Sequence, residues 1–309
     1  MASKELQAIL DQFKQQQSIA AQAAGQPDVA TMRSNMESTA FPVAEDVRVE
    51  PIDAGGVASE WVVAPGAHPD HRLLYLHGGG YFMGSPITHR ALAGNISRVS
   101  GCAVLLIDYR MALEAPFPAA VDDAHSALRF MRDHGPDGPA GAATTFVAGD
   151  SAGGGLTLAT LLAVRDAGES QPDAAVTLSA WTDLAMTGET LKTRADMDPM
   201  ITDLGGITFM ATAYLSGAPG ETPLASPLYA DLSGLPPLLM QVGDAEVLLS
   251  DTTRVAEIAK AAGVDVTLEI DDEMFHVFQA FAPMLPEGQQ AVDRVGAFIQ
   301  AHVPAAAGD

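Results

Sequence analysis

Leu6, Ile9, Leu10 and Phe13 recur at the i, i+3, i+4, i+7 spacing of one helical face, so the chain is expected to open with an amphipathic helix. The Gln-, Ala- and Ser-rich stretch after it carries no comparable pattern. From Asp46 the texture changes to short apolar runs bounded by turn residues. These predict strands near 46–51, 57–63, 72–76, 103–107, 144–149, 174–180, 237–242 and 264–270. From the third strand onward helical patterns intervene, at 119–132, 151–165, 250–262 and 286–302. In the third of these, Val255, Ile258, Ala259 and Ala262 share one face. Alternating strands and helices imply parallel pairing with helices on both faces. The first strands follow one another without a helix and are expected to form an antiparallel edge. The expected fold class is therefore α/β, a mostly parallel eight-stranded sheet flanked by helices. Between Asp183 and Pro236 the rhythm breaks, with no strand pattern and a helix near 205–215. An insertion of that length usually covers something.

Composition narrows the function classes. The chain has 309 residues, 48% of them hydrophobic, enough for a substantial core. Its 39 acidic against 16 basic residues give a formal net charge of -23, which repels nucleic-acid phosphates and anionic headgroups. Nucleic acid is thus not an expected partner. Cys102 is the single cysteine, so an intramolecular disulfide and a cysteine-rich metal site are both excluded. Glu5, Asp11 and Lys14 interrupt the stretch where a signal peptide needs apolar residues. No run approaches the ~18 apolar residues of a membrane span. A cytoplasmic protein without membrane insertion is the expectation.

The candidate chemistry begins at Gly149-Asp150-Ser151-Ala152-Gly153, a G-x-S-x-G pattern that leaves a strand and opens a helix. A P-loop would need a Lys followed by Ser or Thr, and a dinucleotide loop G-x-G-x-x-G; neither fits. A serine at a sharp strand-to-helix turn needs small neighbours two residues away on each side. Such a turn lifts the hydroxyl above the sheet and aims helix-start N–H groups, that of Ala152 among them, at developing negative charge. His77-Gly78-Gly79-Gly80 follows the strand "LLYL", where consecutive glycines let backbone N–H groups approach an oxyanion.

Of eight histidines, His276 in "DEMFHVFQAF" lies after the last strand, at the same sheet edge as Ser151, and is the candidate base. His68 and His71 read as residents of a polar loop, and His125 and His134 as structural residues on or just past a helix. His77 is expected to order its own loop. His89 follows the glycines too closely to reach back and suits a helix cap. For the acid, Asp244, Glu246 and Asp251 all satisfy the chain order Ser…Asp/Glu…His, with Asp183 a more distant fourth. Asp251 reads as a helix-start residue placed for the dipole.

"HGGGYFMGSP", "DYR…PFPAA", "GDSAGGGL", "SAWTDL", "GDAEVLLSD" and "FHVF" together resemble the hormone-sensitive-lipase-like esterases, family IV of the bacterial lipolytic α/β-hydrolases, over nearly the whole chain. The resemblance implies Ser151 as nucleophile, His276 as base and the N–H groups of Gly79, Gly80 and Ala152 as the oxyanion hole. The family's acid is commonly an aspartate in a "DPL" stretch; here Glu246-Val247-Leu248 aligns, which makes Glu246 the expected acid and Asp244 the alternative. "YRMALEAPFPAA" departs from the family's "YRLAPE", with Arg110 and Glu114 expected to be structural. Tyr81, Phe82, Met83 and Asp150 are expected beside substrate, as are Met186, Met197, Met200 and Met210 of the insertion. The family's helical cap would correspond to 1–45 and 184–235, and its catalytic domain to 46–183 and 236–309.

The resemblance implies serine carboxylesterase activity on a small-molecule ester of short to medium acyl chain, through an acyl-enzyme. It implies no cofactor and no metal, and allows a homodimer. Deacetylase, amidase or lactonase chemistry would use the same triad. A non-catalytic ligand receptor, as in the plant gibberellin receptors, would lack the base that His276 supplies.

Overall fold

The computed structural model describes residues 3–22 and 28–304. Eight strands form one sheet: β1 (Arg48–Asp53), β2 (Ala58–Val63), β3 (His68–Leu76), β4 (Cys102–Ile107), β5 (Thr144–Asp150), β6 (Ala174–Leu178), β7 (Leu238–Gly243) and β8 (Val266–Asp271). Their spatial order is β1-β2-β4-β3-β5-β6-β7-β8. β2 pairs antiparallel with β1 and β4, and every later pairing is parallel. The α/β-hydrolase fold expected from the sequence is the fold observed.

β4, β5, β6 and β7 are buried at every position, as strands covered on both faces must be. β3 shows how the period of two divides the core: Leu73 and Tyr75 face one layer, Leu74 and Leu76 the other. On one side lie α4 (Ala119–Asp133), α5 (Ala152–Asp166) and α8 (Leu249–Ala261). On the other lie α3 (Pro86–Ser100) and α9 (Pro286–Ala301), which pack against each other. In α8, Ile258 shares a face with Val255 and Ala259 by helical spacing but is 38% exposed, whereas Ala256 is fully buried. His68 and His71 are on β3 rather than in a loop, because that strand begins five residues before its apolar run.

The remaining helices are α1 (Lys4–Gln22), α2 (Val29–Ser38), the single turn α6 (Thr190–Thr193) and α7 (Leu204–Leu215). α2 lies in the stretch that showed no pattern; Asp28 caps it by accepting from the Thr31 N–H at 2.8 Å. Between β6 and β7 the described residues contain no strand. α1 docks through the stripe that revealed it. Leu6 and Ile9 are buried with Phe275, Phe278 and Leu285, and Phe13 meets Phe275 and Phe281 edge-on at 5.5 and 5.6 Å. The helix therefore packs on the segment that carries His276. Among the described residues no helix is long and apolar enough to cross a membrane.

Leu6 is fully buried, so Leu6→Ala is expected to cost about 2–5 kcal/mol through lost transfer energy and a residual cavity. The measurement is the chemical-denaturation midpoint; an unchanged midpoint would mean that α1 contributes nothing to the fold's stability.

Candidate active site

Ser151 stands between β5 and α5 with φ 52° and ψ -120°, a conformation that disfavours any residue with a Cβ. Close packing around the turn enforces it. A Cβ on Gly149 would lie 2.3 Å from the Gly153 carbonyl oxygen, and one on Gly153 would lie 1.9 Å from the Leu76 carbonyl oxygen. The Ser151 N–H donates to the Leu178 carbonyl at 2.8 Å, and its carbonyl accepts from the Trp181 N–H at 2.8 Å. As the first residue of α5, Ala152 has an N–H with no intrahelical acceptor, at the positive end of the helix dipole.

His276 Nε2 lies 2.9 Å from Ser151 Oγ, and its Nδ1 lies 2.7 Å from Glu246 Oε2. Glu246 is fully buried, and its other oxygen accepts from Ser179 Oγ and the Gly243 N–H, both at 2.7 Å. With Nδ1–H donated to the carboxylate, Nε2 is left to accept the serine proton. Burial alone would lower the His276 pKa, but the hydrogen bond and charge of Glu246, with the charges of Asp198 and Asp150, hold it above its ordinary value.

Ser179 was not anticipated as a site residue. Its hydroxyl bonds Glu246 and also accepts from the Val277 N–H at 3.0 Å, so one side chain spans the loops that carry Glu246 and His276. It sits in "SAWTDL", where nothing about charge or spacing marks it.

The glycine loop is held from below. Gly79 and Gly80 have φ of 116° and 67°. A Cβ on Gly79 would come within 2.2 Å of the Met83 carbonyl oxygen, so glycine is required there. The Gly78 N–H donates to Asp150 Oδ1 at 3.1 Å, and Tyr75 OH donates to the same oxygen at 2.8 Å. His89 Nε2 lies 3.3 Å from both Gly78 N and Asp150 Oδ2. The expectation that His89 is too near in sequence to reach the loop is thus corrected: the first turn of α3 folds back beneath the glycines. His77 stacks on Tyr109 at 4.3 Å, and its carbonyl accepts from Tyr109 OH at 2.7 Å. Burial and the nearby His89 push its pKa down to about 3, so its ring is uncharged at neutral pH.

One expected substrate contact, Tyr81, is corrected. Asp150 lines the cavity but is buried, its oxygens committed to Tyr75, Gly78 and His89. Burial raises its pKa, and the His89 and Tyr75 interactions outweigh that and lower it. Tyr81, at a φ of 59°, is buried in the core, where it stacks on Tyr214 at 3.7 Å. Phe82 and Met83 do reach the cavity.

The other acid candidates have different work. Asp244 accepts from the Glu273 N–H at 2.7 Å. Asp251 is buried and accepts from the N–H groups of Thr182 and Asp183, both at 3.0 Å. It lies in the first turn of α8, as expected, and burial there pushes its pKa up to about 7. Asp183 accepts from Arg254 at 2.8 Å and from Tyr229 OH at 3.0 Å. Arg110 pairs with Asp123, and Glu114 with Arg33.

A cavity of about 950 Å³ opens over Ser151 and His276. Met200 and Met210 from the stretch between β6 and β7 line it, whereas Met186 and Met197 do not. Met32 and Met36 of α2 complete the wall. Their i, i+4 spacing after the Asp28 cap is the helical signal that this segment carries in the sequence. Among the described residues no three His, Cys, Asp or Glu side chains converge to hold a metal ion.

Residues 73–280 match a family model described as an alpha/beta hydrolase fold. An acetyl-hydrolase of Streptomyces hygroscopicus is 45% identical over 81% of each chain. The crystal structure of EstE5 soaked with p-nitrophenyl butyrate superposes with a TM-score of 0.90 at 46% identity, covering 98% of this chain and 100% of that one. An esterase from the bacterial hormone-sensitive lipase family gives a TM-score of 0.90 at 43% identity over the same shares.

Because Glu246 offsets the effect of burial on His276, an NMR titration of that imidazole is expected to give a pKa above 6.5. Glu246→Gln should lower it, and Asp244→Asn should leave it in place. A titration unaffected by Glu246→Gln would detach that carboxylate from the histidine.

Proposed function

This chain belongs to the hormone-sensitive-lipase-like esterases of the α/β-hydrolase fold and is a carboxylic ester hydrolase; from that premise we propose that Ser151, His276 and Glu246 are its catalytic triad. The observation that carries the proposal is the pair of contacts from His276, 2.9 Å to Ser151 Oγ and 2.7 Å to Glu246 Oε2. In this reading His276 Nε2 removes the Ser151 proton as Oγ attacks the ester carbonyl. Glu246 stabilises the imidazolium and keeps its tautomer. The N–H groups of Gly79, Gly80 and Ala152 receive the oxyanion. The tetrahedral adduct collapses, the alcohol departs with the His276 proton, and an acyl group remains on Ser151. Water, deprotonated by His276, then releases the acid.

In the same proposal, segments 1–45 and 184–235 act as a cap over the catalytic residues, supported by the α2 and α7 side chains in the cavity wall. The apolar wall of phenylalanine and methionine suits short to medium acyl chains, with methionine adapting to their shape. The acetyl-hydrolase relative favours a small acyl group as a second reading.

The cavity wall contains no Lys or Arg among the described residues, and Asp28 and Asp203 lie on it. In a chain of net charge -23 the substrate is thus read as uncharged.

Hydrolysis of p-nitrophenyl esters of increasing chain length tests the reading. Turnover is expected to peak at short or medium chains. Ser151→Ala should lose on the order of 10⁶ in kcat while remaining folded, by analogy with serine-hydrolase knockouts. Glu246→Ala should lose several orders, and Asp244→Ala only a few-fold. Near-native turnover by the Ser151 variant would overturn the triad.

A second comparison concerns charge. An anionic hemisuccinate ester should be hydrolysed more slowly than a neutral ester of equal length, and the gap should narrow as salt is added. Equal rates at low ionic strength would refute the electrostatic part of the reading.

A further inference from the structure

We propose that Asp198, in the segment between β6 and β7, is a positioning residue that fixes the Glu246 loop against the wall of the substrate cavity. The inference rests on the triad reading above. Asp198 lies 49 residues before Val247, yet its Oδ2 accepts from the Val247 N–H at 3.0 Å. Its Oδ1 accepts from the N–H groups of Met200 at 2.8 Å and Ile201 at 3.1 Å. Val247 directly follows Glu246, and Leu248, Met200 and Ile201 all line the cavity. One side chain thus ties the loop carrying the acid to the wall that shapes the substrate. α1 reaches the same point, with Gln17 Nε2 donating to the Pro199 carbonyl at 2.9 Å.

The geometry asks for a carboxylate. Three N–H donors face two oxygens, and an amide would turn its NH₂ toward one set of donors. Asp198 is 2% exposed, and its described partners are these backbone N–H groups, with no Lys, Arg or His paired to it. A buried negative charge without a counter-ion is costly unless hydrogen bonds stabilise it, and these three do so.

The charge reaches the base. His276 is faced by Glu246 after β7, by Asp150 at the end of β5 and by Asp198 from the insertion; all three favour its protonated form, against the effect of burial. Asp198 therefore acts twice on the chemistry without touching substrate at the reacting centre. It sets where Glu246 stands, and it adds to the field in which His276 titrates.

The test uses the whole chain with p-nitrophenyl butyrate as probe. Asp198→Asn should lower kcat about 10- to 100-fold, the scale expected when a catalytic group is slightly misplaced. It should also move the acid limb of the kcat/KM profile to lower pH, because that limb reports the free-enzyme base. Asp198→Glu keeps the charge but not the reach, so its kcat should fall while the limb moves less. Asp198→Ser, with a single small acceptor, replaces the asparagine variant if that one does not fold. Met200→Ala alters the cavity wall alone and should change KM without moving the limb. A neutral variant whose acid limb coincides with wild type would overturn the proposal, as would one with unchanged kcat. Either result would leave the Ser151 dependence standing, so failure here is distinguishable from failure of the triad.

Discussion

The parallel pairing of β3 with β5 is the constraint on which the site depends. Its register sets Leu76 opposite Gly149, so the loops leaving the two strands start side by side. One loop carries the glycines and the other the serine. Backbone meets backbone there so closely that a Cβ on Gly153 would lie 1.9 Å from the Leu76 carbonyl oxygen. The strained φ of Ser151 persists because the sheet, α5 and β3 determine it together. Asp150 completes the coupling, since the residue preceding the serine bonds the Gly78 N–H of the neighbouring loop. The spacing between serine and glycine loop is thus a property of sheet register.

What the sequence made legible, and what it did not, follows from the same distinction between local and non-local physics. The strands and most helices were readable because periodicity is local, and the serine turn because its glycines answer a local steric demand. His276 was identified by its strand-end position, which parallel topology converts into proximity. The choice of Glu246 over Asp244 needed family resemblance, since three carboxylates within eight residues have equal claims by spacing. His89, Ser179 and Asp198 escaped because each acts on residues distant in the chain or across a turn. α2 escaped because its residues are none of them buried, so the helix has no strong apolar stripe to betray it. Tyr81 misled for a related reason: adjacency to the glycine loop says nothing about which way a positive φ turns the side chain.

Buried carboxylates around one imidazole give the site its electrical character. Glu246, Asp150 and Asp198 are each nearly inaccessible and each held by N–H or O–H donors. In the proposed mechanism this arrangement suits the imidazolium that would form when Ser151 attacks. It also sets two pH demands against each other. A His276 pKa raised by folding contributes stability that is fully present below the unfolded value near 6.5 and is lost as pH rises through the folded value. The base, however, works only in its neutral form, which accumulates over that same rise. Under the proposed mechanism, the field that would favour serine attack therefore makes the neutral form of the histidine the less stabilised one. This fold accepts that conflict at one residue, and the hydrogen bonds of Glu246 to Ser179 and Gly243 hold the carboxylate in place through it.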